Sequence, residues 1–119
     1  MKISEFIGVY DADATVVGEL SYWLGARLGV RHCSLCDITH GLFTERSEWK
    51  QCRETLLVPI TTYHRNDAPR DVLAVANGVF PCVVARSTSQ LAVVLGPQEL
   101  EILDGSPEAL VSRLNELVA

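Results

Sequence analysis

The chain has 119 residues, with fifteen acidic against ten basic side chains and a formal net charge of −5. Hydrophobic residues at 48% and charged residues at 21% set it among ordinary globular proteins and exclude a disordered or collagen-like chain. The acid surplus argues against a nucleic-acid partner, whose phosphates ask for excess Lys and Arg, and no apolar run approaches the roughly 20 residues that cross a bilayer.

The opening Met1-Lys2-Ile3-Ser4-Glu5 carries no signal-peptide pattern, which makes the cytoplasm the expected address. Without repeats or a Gly/Ser-rich linker, residues 1–119 read as one domain. Glu5–Tyr10 is a run of strand formers that ends in Asp11-Ala12-Asp13, a turn and helix-start signal. From Thr15 the apolar positions Val16, Val17, Leu20, Trp23, Leu24 and Leu28 recur at helical spacing, and Gly29 supplies a stop. Val30–Phe43 reads as an irregular segment, after which Thr44 or Ser47 opens a short helix through Glu54 with Trp49 and Cys52 on one side.

Leu56–Tyr63 is the second strand, with Pro59 confining that position to an edge or a bulge because it lacks an N–H. Asp67 is expected to cap a helix from Ala68 to Ala76, closed by Asn77-Gly78. Phe80–Arg86 and Leu91–Leu95 form two strands joined by the tight turn Ser87–Gln90, hence an antiparallel pair. Gln98–Leu103 fits either a strand extension or a short helix, and Ser106-Pro107-Glu108 starts a final amphipathic helix with Leu110, Val111, Leu114, Leu117 and Val118 on one stripe. The order is β-α-α-β-α-β-β-α. Strands joined through helices are expected to run parallel, with the helices on the sheet faces.

This order resembles the thioredoxin-like fold, a three-layer α/β/α arrangement around a mixed four-stranded sheet. Phe80-Pro81 stands where that fold carries a cis-proline at the start of its third strand, and the resemblance implies a substrate groove bordered by Pro81 and Cys82. One departure is plain: the family's C-x-x-C lies between the first strand and first helix, and here that loop is Asp11-Ala12-Asp13-Ala14-Thr15, without cysteine. The string Cys33-Ser34-Leu35-Cys36-Asp37-Ile38-Thr39-His40-Gly41 also resembles one found in small uncharacterised bacterial proteins, which implies no activity.

The cysteines carry the main chemical signal. Cys33, Cys36, Cys52 and Cys82 are too few and too unevenly spaced for a disulfide scaffold, and a close pair in a reducing compartment favours redox or metal use. In the redox reading Cys33 attacks, His32 lowers its pKa, and Cys36 resolves the mixed disulfide of a protein or small-thiol partner. In the metal reading Cys33, Cys36 and His40 give C-x2-C-x3-H, three zinc ligands within eight residues, with Cys52, His32 or His64 as the fourth. In the third reading the pair is chemically inert and the chain is a non-catalytic interaction domain. The cofactor is accordingly zinc or none, and enzymatic activity follows only from the first reading.

Two other features stand at the sheet edge. Asp11-Ala12-Asp13-Ala14-Thr15 after an apolar strand resembles the D-x-D-x-T opening of haloacid-dehalogenase-type phosphotransferases, which implies Asp11 as nucleophile and Asp13 as acid/base with magnesium. The paired downstream acids and a well-placed lysine are missing, so a turn and helix cap explains the string more simply. His64-Arg65 follows the second strand, and with Asp11 and Asp13 it occupies the carboxyl ends of the strands expected to be parallel, where open α/β sheets bind ligands. Asp11, Asp13, His64 and Pro81 are therefore the expected substrate-side residues. Trp23, Trp49 and Tyr63 read as core or interface.

Overall fold

A computed structural model of the protein describes residues 2–11, 34–39 and 46–118. Within them lie β1 (Glu5–Val9), α1 (Ser34–Thr39), α2 (Ser47–Arg53), β2 (Ile60–Tyr63), α3 (Arg70–Ala76), β3 (Cys82–Arg86), β4 (Leu91–Leu95), α4 (Pro97–Ile102) and α5 (Pro107–Val118). The expected helix from Thr15 to Leu28 lies outside the described residues.

The strands form one mixed sheet in the order β2-β1-β3-β4. β1 and β2 are parallel, with Val9 beside Tyr63. β3 runs antiparallel to β1, with Val9 also facing Cys82. This corrects the expectation that every helix-joined pair is parallel. The chain leaves β2 and enters β3 at the same sheet edge, because α3 has only seven residues, about 10 Å of rise, and the left-handed Asn77 and Gly78 (φ 53° and 78°) then turn the chain back. The Phe80–Pro81 peptide at that re-entry point is cis.

Alternation along the strands divides the core between the two faces. Phe6, Val83 and Ala85 bury one face against Leu35 and Ile38 of α1, Trp49 of α2, Leu100 of α4, and Leu110 and Leu114 of α5. Ile7, Val9, Cys82 and Val84 bury the other against Val72 and Ala76 of α3. A register shift between Val83 and Val84 brings both Val94 and Leu95 to the first face. α5 starts as its sequence dictates: the Ser106 hydroxyl accepts the Ala109 N–H at 3.1 Å, and Pro107 follows it.

Three local expectations change. Part of Val30–Phe43 is helical: Leu35 and Ile38, one turn apart, bury completely and hold α1 on the sheet. The second strand begins at Ile60 rather than Leu56; Pro59 sits just before this edge strand, and its carbonyl accepts the Phe6 N–H at 2.9 Å. Asp67 does not cap α3. Its Oδ1 accepts the His64 N–H at 2.6 Å in a turn of its own, while extended Pro69 takes the cap position without a side-chain bond.

Candidate functional site

The carboxyl ends of β1 and β2 and the start of β3 meet at one edge of the sheet, since Val9 is flanked by Tyr63 on one side and Cys82 on the other. Four of the sequence-derived positions converge there: Asp11, His64, Arg65 and Pro81. An Arg65 Nη1 donates to Asp11 Oδ1 at 3.1 Å, both side chains being about one-third exposed. His64 Nδ1 lies 3.5 Å from Asp67 Oδ2, and its ring is tilted against Tyr10 with centroids 5.4 Å apart. Pro81 is buried. Asp13 lies outside the described residues.

Tyr10 carries the link to the cysteine motif. Its hydroxyl lies 3.0 Å from Thr39 Oγ1, which in turn donates to the Leu35 carbonyl at 3.2 Å. A hydroxyl has one proton, so Thr39 spends its own on Leu35 and accepts from Tyr10. Thr39 ends α1, and the backbone of Cys36 lies one turn before it. The helix is seated closely: Leu35 Cδ2 lies where a Cβ on Gly8 would meet it at 3.2 Å, so the missing side chain at position 8 is what admits α1 to this distance. Cys33, His32 and His40 lie outside the described residues, and Cys36 is described by its helical backbone.

The other two thiols are packed rather than poised. Cys82 is fully buried between β3 and α3, and this burial pushes its thiol from 9.0 to about 11. Cys52 is half-buried against the larger core cluster, and burial, with lesser help from the Glu108 and Glu48 carboxylates, raises its thiol as well. Neither setting raises the thiolate fraction on which metal or redox chemistry draws. Among the described residues no group of three or more His, Cys, Asp or Glu side chains is placed to hold a metal ion. Likewise, no helix among them is long and apolar enough to cross a membrane.

Sequence reasoning did not find a cleft of about 410 Å³ beside this edge. Its walls come from Ile60, Thr61, Thr62 and His64 on the β2 side, Tyr10 after β1, and Trp49 with Arg53 on α2. These positions are spread over 55 residues of chain, so no local motif announces them. The one signal was Trp49, a large aromatic on a short polar helix. Trp49 is completely buried, the Arg53 guanidinium carbon sits 6.0 Å from its ring centroid, and its indole Nε1 has no hydrogen-bond partner among the described residues.

No family model, no curated protein and no solved structure matches this chain.

Proposed function

We propose that this is a thioredoxin-like protein that works by thiol–disulfide exchange, as an oxidoreductase or a redox sensor, through Cys33 and Cys36. One observation carries the reading. The Tyr10–Thr39 bond ties the helix that includes Cys36 to the end of β1, the edge at which the thioredoxin-like arrangement keeps its cysteine pair. The helical backbone at Cys36 thereby stands near that edge, which supports the reading. The mixed four-stranded sheet with helices packed on both faces supports the reading.

The chemistry follows from the two sulfurs. The Cys33 thiolate attacks a partner disulfide, forming a mixed disulfide and releasing one partner sulfur as thiolate. The Cys36 thiolate then attacks Cys33 Sγ, which forms the Cys33–Cys36 disulfide and releases the second partner sulfur. Two electrons pass from the cysteine pair to the partner, and the released thiolates take up the two protons lost from the pair. His32, adjacent to Cys33 in sequence, favours its thiolate when protonated. The packing of Cys52 and Cys82 leaves this role to the other pair.

Trapping tests the assignment of roles. With oxidised glutathione, Cys36→Ser should accumulate a glutathione mixed disulfide on Cys33, whereas Cys33→Ser should not accumulate one on Cys36. Equal accumulation in both variants, or none in either, would overturn it. Zinc held by Cys33, Cys36 and His40 is the competing outcome, seen as one metal per chain in protein purified without chelator.

A further inference from the structure

We propose that Asn77-Gly78, the turn between α3 and β3, is a site of spontaneous covalent modification. The Asn77 carboxamide is lost through a cyclic imide, which leaves aspartate or isoaspartate at position 77.

The chemistry needs only water as co-reactant. The Gly78 backbone nitrogen attacks Asn77 Cγ. That C–N bond forms, the bond from Cγ to Nδ2 breaks, and the Gly78 proton leaves with ammonia. Water then opens the imide ring at either carbonyl. Opening at the former side-chain carbonyl gives aspartate, and opening at the main-chain carbonyl routes the backbone through the side chain as isoaspartate.

Local structure singles out this asparagine among the three in the chain. Asn77 and Gly78 are exposed and left-handed, and beyond the chain neighbours no heavy atom lies within 4 Å of where a Gly78 Cβ would stand. Among the described residues neither the Asn77 carboxamide nor the Gly78 N–H has a hydrogen-bond partner. Attack requires rotation about the Asn77 Cα–C bond from its ψ of 42°, and the backbone bond that resists it is the one from Val79 N–H to the Ala76 carbonyl, 3.1 Å.

The comparable positions are held. At Asn66 the attacking nitrogen would be that of Asp67, which donates to the His64 carbonyl at 3.2 Å. Asn115 lies within α5 with both ends of its carboxamide engaged: Oδ1 accepts the Leu57 N–H at 2.9 Å and Nδ2 donates to the Thr55 carbonyl at 3.2 Å. Asp104-Gly105 repeats the left-handed pair (φ 52° and 71°), but its carboxylate resists a nucleophile, and Arg46 Nη1 donates to the Gly105 carbonyl at 2.6 Å. Either product at position 77 sets a carboxylate at the C-terminal end of α3, where the helix dipole is itself negative, and isoaspartate also lengthens the link into β3.

The test ages the full chain in mildly alkaline buffer and maps its peptides by mass spectrometry, with isoaspartate distinguished from aspartate. Asn77 should convert at least about tenfold faster than Asn66 or Asn115, a barrier difference of about 1.4 kcal/mol. An acid-shifted species should accumulate on ion exchange, with a lower denaturant midpoint than fresh protein. Asn77→Gly, which suits the left-handed turn and lacks the carboxamide, should form none. Comparable rates at the three asparagines overturn the proposal. So does an intact Asn77 in the native chain over a period in which the guanidinium-unfolded chain converts it.

Discussion

Tyr10 and Thr39 share a buried hydrogen bond of 3.0 Å, joining the residue after β1 to the residue that ends α1. Thr39 is the one buried polar side chain among the described residues, and its hydroxyl is satisfied at both ends. The short α1 has little intrinsic stability at six residues, so tertiary contacts of this kind hold it.

Tyr10→Phe removes the donor and leaves Thr39 bonded to the Leu35 carbonyl. The expected loss is about 0.5–1.5 kcal/mol in denaturant unfolding, with faster amide exchange confined to α1. An unchanged exchange rate in α1 would show that the bond does not secure the helix.

Gly8→Val tests the seating of α1 from the sheet side. A Cβ at position 8 would stand 3.2 Å from Leu35 Cδ2 and 3.3 Å from Thr62 Cγ2, and Leu35 is fully buried with little room to retreat. Overpacking should cost about 1–3 kcal/mol, measured by denaturant unfolding. A neutral result would mean that α1 shifts freely against the sheet.

Cys82 makes a pH-dependent contribution. Burial holds its thiol neutral to about pH 11, against 9.0 when unfolded, so the folded state binds that proton more tightly. Its contribution is therefore complete below pH 9 and is lost as the pH rises towards 11. Cys82→Ala should flatten the fall in unfolding free energy across that window. At neutral pH, native Cys82 should resist iodoacetamide until the chain unfolds. Rapid labelling of native Cys82 would contradict its placement in the core.

Much of this architecture was legible because its signals are local. Leu91–Leu95 was bounded by turn residues, and Ser106-Pro107-Glu108 announced α5. α1 was missed because six residues give too short a window for periodicity; only Leu35 and Ile38, spaced by one turn, hinted at its buried face. The reversal of β3 depended on where the chain re-enters the sheet, which strand propensity does not encode. At the edge, the meeting of Asp11 with Arg65 followed from the parallel β1–β2 pair, itself readable from the helices between them. The cleft was not readable, since Tyr10, Trp49 and His64 come together only through packing.

The central claim is reversible chemistry between the sulfurs of Cys33 and Cys36, and disulfide mapping of the full chain after mild oxidation tests it most directly. The account predicts a single Cys33–Cys36 disulfide, reversed by dithiothreitol, with Cys52 and Cys82 recovered as thiols. Recovery of Cys33 and Cys36 as free thiols under the same oxidant would contradict it.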